Sequence, residues 1–256
     1  MLIDTHAHLT DEQFDCKEII KNMRADGLER IVTVGYDVAS SKECARIARE
    51  NADVFCAVGV HPNDSQELTR DPCEELYALA TDKQNKVVAI GEIGLDYHYD
   101  GTEREVQKKW MARQIELASE VGLPPAFHIR DAYEDMFAVM KDCESHLKAS
   151  GIMHCYSGSK QVALQLSQKY DFYFSFSGAI TFKNAYKFPE IIKALPKDRL
   201  LIETDCPYLT PHPFRGKLNM PAYVHYTAGR MAEILEMDYL EVVELTSNNA
   251  KRLLKL

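Results

Sequence analysis

Eight short apolar runs, most of them followed by a stretch of helical periodicity, recur along this chain. That alternation limits the available folds more than any other feature. The runs lie at Leu2–His8, Arg30–Tyr36, Val54–Val60, Val87–Glu92, Ala126–Ile129, Gly151–Tyr156, Phe172–Ser177 and Leu200–Asp205, and they are rich in β-branched residues. Such runs read as strands. Between them, Glu103–Val121 brings Val106, Trp110, Ile115, Leu117 and Ala118 round at three- and four-residue steps. Tyr133–Leu147 does the same with Met136, Phe137, Met140 and Leu147. Pro124-Pro125 falls just before a strand, where proline's missing donor is tolerated. Eight units in 256 residues give 32 residues each, which matches a (β/α)8 TIM barrel of about 250 residues. An open doubly wound sheet also alternates strand and helix, but it binds ligand at one switch point, usually behind a Gly-rich turn. No G-x-G-x-x-G follows any strand here, and polar residues end nearly every strand. This favours a closed barrel with one shared mouth. Tyr239–Leu254, with Val242, Val243, Leu245, Leu253 and Leu254, is expected as an extra C-terminal helix closing the ring. No linker or low-complexity block divides the chain, so residues 1–256 are expected to form a single α/β domain.

Composition removes several other classes. At 46% apolar and 27% charged residues, the chain is neither disordered nor collagen-like. No apolar run approaches the roughly 18–20 residues that span a bilayer, so no membrane partner is expected. The start, Met1 to His6, lacks the basic and apolar segments of a secretory signal. Seven cysteines are scattered without a C-x-x-C pair, which suits a reducing compartment and predicts a cytoplasmic protein. With 30 Lys+Arg against 39 Asp+Glu the net charge is -9, which argues against coating nucleic acid through bulk charge.

The chemistry gathers at the strand ends. In Asp4-Thr5-His6-Ala7-His8 the two histidines are two residues apart, which in a strand puts both imidazoles on one face. Paired imidazoles suit a divalent metal, although an isolated H-x-H is as readily a pair of ordinary polar residues. Glu92 lies in the apolar run Ala89–Leu95 framed by Gly91 and Gly94. A buried carboxylate without a partner costs several kcal/mol, so it needs a cation or shifts to neutral. His128, His154 and Asp205 end three further runs. Each alone reads as a hydrogen-bonded core residue; six such groups at one end of a barrel favour a metal site.

These blocks, in their order and spacing, resemble the TatD-type metal-dependent deoxyribonucleases, a branch of the amidohydrolase-like TIM-barrel superfamily. The resemblance rests on Asp4–His8, Gly59-Val60-His61-Pro62, Gly91–Asp96, His128–Ala132, His154–Gly158, Ser175–Gly178, and the segment Glu203–Leu209 continuing to Arg215–Asn219. It implies two adjacent divalent metal ions, with Mg, Mn and Zn all compatible with mixed imidazole and carboxylate donors. By that resemblance His6, His8 and Asp205 hold one metal, His128 and His154 the other, and Glu92 bridges them. Cys206 stands where relatives carry a small residue, setting a thiol beside Asp205 as a candidate soft ligand.

The same resemblance implies a hydrolase cleaving phosphodiester bonds of DNA, acting as a 3′–5′ exodeoxyribonuclease on single-stranded or frayed ends. Two metals about 3.5–4 Å apart can activate water and clamp the attacking and leaving oxygens. Asp205 is the candidate base and Glu92 an electrostatic anchor. Candidate phosphate contacts are His61, Arg130, Arg215 and Lys217, with Lys160, Lys183 and His212 as further basic residues; Arg215 suits phosphate best through its guanidinium geometry. Tyr97, Tyr99 and Phe214 are candidates for stacking a terminal base, with core packing as the competing role. RNA remains a possible substrate, no obligate protein partner is expected, and the alternative function is hydrolysis of a small C–N, ester or lactone bond, deacylation included.

Overall fold

The computed structural model describes residues 1–68 and 71–256. Eight strands form one parallel sheet in sequence order: β1 (Leu2–Ala7), β2 (Leu28–Val34), β3 (Val54–Val58), β4 (Val87–Asp96), β5 (Pro125–Arg130), β6 (Ile152–Met153), β7 (Tyr173–Phe176) and β8 (Leu200–Ile202). The strands are buried almost throughout, as expected of a parallel sheet covered on both faces. Around them, among the described residues, run nine α-helices: α1 (Cys16–Asn22), α2 (Val38–Glu50), α3 (Cys73–Thr81), α4 (Arg104–Val121), α5 (Tyr133–Asp142), α6 (Lys160–Tyr170), α7 (Phe188–Ala194), α8 (Val224–Leu235) and α9 (Tyr239–Leu254). Local chemistry sets several of their ends. Asp37 and Ser40 form a reciprocal capping box on α2, Asp238 and Glu241 another on α9, and Ser159 caps α6. These side chains occupy N–H groups that a helix start leaves without an internal partner.

The ring closes between β8 and β1 just beyond the regular ladder. The Asp205 N–H donates to His6 O and the His8 N–H donates to Cys206 O, each at 2.9 Å. Beneath that seam, the Asp4 carboxylate takes the Thr204 N–H at 2.9 Å and faces the Thr204 hydroxyl at 2.5 Å. Asp4 has no exposed surface, and burial pushes its carboxyl up to about 8. Residues of the mouth therefore help to hold the barrel shut.

One apolar cluster takes a residue from every strand: Ile3, Val32, Ala57, Ala89, Ala126, Ile152, Tyr173 and Leu201. Ala250 and Leu254 of α9 join it. α9 covers the end opposite the mouth, where the Ser247 hydroxyl donates to Met1 O and Asn249 Nδ2 to Leu200 O, both at the starts of their strands. The larger cluster fills the layer between sheet and helices. The expected closed barrel and extra C-terminal helix are both present, with β6 and β8 shorter than their apolar runs. Beyond these short strands the His154 N–H still donates to Phe127 O and the Glu203 N–H to Phe176 O, each at 3.0 Å, and the chain bends at Cys155 and Asp205. Cys155 (φ 40°) and Asp205 (φ 57°) take left-handed backbone there, a conformation uncommon for residues with a side chain.

Candidate metal centre

β1 delivers His6 and, one residue past its end, His8; their Nε2 atoms lie 3.3 Å apart. His8 Nδ1 lies 3.1 Å from Val34 O. A carbonyl only accepts, so Nδ1 carries a proton and Nε2 is the atom turned into the site. β4 brings Glu92 to the centre. Its Oε1 lies 2.6 Å from His128 Nδ1, 3.2 Å from His154 Nε2 and 3.8 Å from His61 Nε2. Its Oε2 lies 3.5 Å from His6 Nε2 and 3.9 Å from His8 Nε2. Asp205 Oδ1 stands 3.6 Å from His8 Nε2 and 3.8 Å from the Nε2 atoms of both His6 and His154. The structure thus brings His6, His8, Glu92, His128, His154 and Asp205 into one cluster.

Two glycines let β4 present Glu92 so closely to β5. A Cβ on Gly91 would come within 2.6 Å of Ala126 Cβ, and one on Gly94 within 2.0 Å of His128 O; Gly94 also sits at φ +144°. Neither position accepts a side chain without moving the strand that carries His128.

The electrostatics are those of buried anions among imidazoles. Burial alone would raise the Glu92 carboxyl, but His154, His61 and His128 outweigh it and hold it well below the usual range. Asp205 is likewise lowered, against burial, by His8, His154 and His6. Burial lowers His6, and His154 adds to that. For His128 burial is outweighed by Glu92 and Asp96, which take it up to about 9. His154 rises well above its ordinary value because Glu203 and Glu92 overcome burial. Two ionised carboxylates facing several imidazole nitrogens make a donor set that fits divalent cations. His6–His8–Glu92, His6–His154–Asp205 and His61–Glu92–His128 each place their donor atoms within 4.8 Å of one another, and cation binding would displace protons from the imidazoles.

His61 lies within this cluster, its Nε2 3.8 Å from Glu92 Oε1. Burial drops its imidazole to about 3, so it is neutral, and Nδ1 accepts the Asn63 N–H at 3.2 Å. Two carboxylates to which the sequence reading gave no role support the histidines from behind. Asp96 Oδ2 lies 3.0 Å from His128 Nε2. Glu203 Oε1 lies 2.9 Å from His154 Nδ1 and accepts the Cys155 N–H at 2.9 Å. Such carboxylates fix which ring nitrogen faces a metal. The signal was their offset, four residues after Glu92 and two before Asp205.

A cavity of about 880 Å³ opens over the cluster, and Arg130, Tyr99, Tyr36 and Tyr208 are among its lining residues. Arg215 and Lys217 do not line it. The Arg215 guanidinium lies 3.9 Å from the Phe182 ring centroid and donates to Thr210 O at 3.1 Å, while Lys217 Nζ is 5.5 Å from the Phe214 centroid. Lys160 pairs with Glu190. Tyr97 donates its hydroxyl to Asp135, and Phe214 stacks on Tyr223, so both are engaged in packing. Cys206 is fully buried, with its thiol pushed well up by burial. Tyr36, at the end of the second apolar run, and Tyr208, within the segment after Asp205, also line the cavity, and the sequence reading gave neither a role in the site.

Comparison with known proteins gives the architecture a family. The profile described as TatD related DNase matches residues 3–255. YabD of Bacillus subtilis (strain 168), an uncharacterised metal-dependent hydrolase, is 46% identical over 258 residues, covering 100% of both chains. YcfH of Escherichia coli (strain K12), also an uncharacterised metal-dependent hydrolase, is 32% identical, covering 98% of this chain and 95% of its own. The crystal structure of YjjV, a TatD homologue from Escherichia coli K12, superposes with a TM-score of 0.92 at 26% identity, covering 100% of this chain and 98% of that one. The chain therefore belongs to the TatD-related DNase family.

Proposed function

We propose that this protein is a metal-dependent hydrolase that cleaves phosphodiester bonds of DNA, releasing nucleotides from single-stranded 3′ ends, and that residues 1–256 act as one catalytic domain. The observation that carries the reading is the ionised Glu92 carboxylate set among His6, His8, His61, His128 and His154 at the barrel mouth. On this reading His6, His8, Glu92, His128, His154 and Asp205 hold two divalent cations, with the neutral His61 as a further donor. Cations bound there would supply Lewis acidity toward phosphoryl oxygens and lower the pKa of water. Asp205, kept unprotonated by its histidine neighbours, takes the proton from the attacking water at its carboxylate. Glu92 stays ionised as the fixed negative centre that orients the imidazoles. Arg130, the Lys or Arg side chain that reaches the cavity lining among the described residues, holds a phosphate oxygen through its guanidinium. A site recessed at a barrel mouth is reached more readily by a frayed end than by the middle of a duplex, and the 3′ polarity rests on the family resemblance.

Metal content measured on the purified protein, followed by degradation of end-labelled DNA and RNA with each added cation and with chelator, tests this reading. We expect chelator to stop the reaction, a divalent cation to restore it, and products to shorten stepwise from the 3′ end. Activity that survives thorough metal removal, or purely internal cuts, would overturn it. Asp11 and Asp64 among the lining residues favour the rival reading of a small uncharged ester, lactone or amide substrate. Turnover of such substrates far above nuclease turnover would establish it instead.

A further inference from the structure

We propose that the mouth contains a subsite for the base of the terminal nucleotide, formed by Tyr36 and Tyr208 on the two sides of His8, and that the acidic rim beside it selects an end bearing no terminal phosphate. This rests on the phosphodiesterase reading and extends it to how an end is recognised.

β1 lies between β8 and β2, so Tyr208 just beyond β8 and Tyr36 just beyond β2 flank the His8 that follows β1. Both rings touch that imidazole, with centroids at 6.1 Å and 6.2 Å and planes at 70° and 64°. Both line the cavity, yet Tyr208 is 57% and Tyr36 40% exposed. Tyrosine gains by burying its ring, and these two leave theirs open beside a reaction centre. An aromatic base has a π-face whatever its identity, so such a pair stacks any of the four bases.

Charge is distributed unevenly round the mouth. Asp11, after β1, and Asp64, after β3, line the cavity beside this arc, and Arg130, the last residue of β5, lies half-way round the barrel from β1. Its guanidinium is 5.3 Å from the Tyr99 ring centroid. A strand whose reacting phosphate sits over Glu92 and Asp205 therefore has one favourable orientation. Its remaining phosphates run toward Arg130, and its last nucleoside enters the aromatic arc, where a further phosphate would face Asp11 and Asp64 at close range.

Steady-state kinetics on short single-stranded oligonucleotides that differ only in the last residue test this. The ends are a normal nucleotide, one with the base replaced by hydrogen, and a normal nucleotide carrying a terminal phosphate. We expect loss of the base to raise KM by about tenfold, as one stacked base would, and the terminal phosphate to raise it by a similar factor. Tyr208→Ala or Tyr36→Ala should bring the base-bearing and abasic ends to within about twofold, and Tyr208→Phe should keep them apart. Asp11→Asn should shrink the phosphate penalty. An abasic end as good as a normal one in the wild-type protein, or a base preference that survives both alanine variants, overturns the proposal. If no oligonucleotide is cut, binding of dAMP and of deoxyribose 5-phosphate is compared by calorimetry with Mn²⁺ present. A preference for dAMP that Tyr208→Ala abolishes upholds the subsite and assigns the failure to the phosphodiesterase reading, whereas equal binding overturns the subsite itself.

Discussion

Asp205 and Glu203 are two residues apart in the chain and hold different positions in the site, so a pair of amide substitutions separates their roles. Asp205 sits at φ 57°, a conformation that asparagine tolerates nearly as well as aspartate. Its closing hydrogen bond to His6 O comes from the backbone. Asp205→Asn should therefore fold and melt much as the parent does, while turnover falls by about 10²–10⁴-fold through loss of the proton acceptor. Unchanged turnover would remove Asp205 from the mechanism. Glu203 does not line the cavity; it faces His154 Nδ1 and the Cys155 N–H. Glu203→Gln keeps its length and removes the charge that holds the imidazole. The expected result is a metal affinity lower by about 10–100-fold, read by titrating metal-free protein, with most of kcat recovered at saturating metal. A kcat that stays low at saturating metal with normal affinity would instead put Glu203 in the chemistry.

α9 shows how far one element outside the repeat supports the barrel. Asn249 is almost fully buried and donates from Nδ2 to Lys197 O and Leu200 O, each at 2.9 Å, at the start of β8. Asn249→Ala leaves those carbonyls without that donor and should cost about 1–3 kcal/mol, which at this chain length lowers Tm by several degrees, about 2–4 °C per kcal/mol. Calorimetry reads it directly, and a Tm within about a degree of the parent's would deny α9 that role. Lys251 Nζ lies 2.8 Å from Glu29 Oε1 on β2. Burial pushes the Glu29 carboxyl up, but Lys251 and Arg30 outweigh it and pull it below its ordinary range. The unfolded chain therefore binds the proton more readily, so this pair stabilises the fold above roughly pH 4.5 and stops doing so as pH falls through the lowered value. For a half-exposed pair the effect is at most about 1 kcal/mol, and Lys251→Met should flatten the acid limb of Tm against pH by that amount. Strand and helix positions were legible in sequence wherever periodicity was strong: α9 starts and ends at the expected Tyr239 and Leu254, and α4 starts one residue inside its expected segment. Legibility failed where chemistry interrupts the ladder. Cys155 and Asp205 belong to runs that look like strand, but their backbones are left-handed, and apolar patterning carries no record of that turn. It also carried no record of Arg215 leaning on Phe182, or of Tyr36 and Tyr208 facing the cavity, because loops have no period from which to read a direction.

At the scale of the whole molecule, and on the phosphodiesterase reading proposed above, charge decides how a strand is held. A net charge of -9 and a cavity whose described lining includes Arg130 but several carboxylates leave little cationic surface to follow a polynucleotide backbone. Each phosphate neutralised on a single strand contributes about -0.7 to the slope of log K against log salt. One or two contacts at the mouth then predict a slope between about -0.7 and -1.4, far shallower than that of a protein that coats nucleic acid. Exposed acidic residues elsewhere are largely screened beyond about 8 Å at physiological salt, so they neither draw a strand in nor track it once it is cut. Release after each cleavage should then be faster than the next advance. With labelled oligonucleotide in excess, the whole population should shorten together, one nucleotide at a time, and added unlabelled strand should stop further shortening of the labelled one at once. A slope steeper than about -3, or short products accumulating while most substrate is intact, would show a binding track along the surface that the charge distribution does not provide. Chain length points the same way: the barrel and its α9 plug use nearly all 256 residues, so the affinity available to these residues is concentrated at the mouth, where the tyrosines, Arg130 and the carboxylate–imidazole cluster meet.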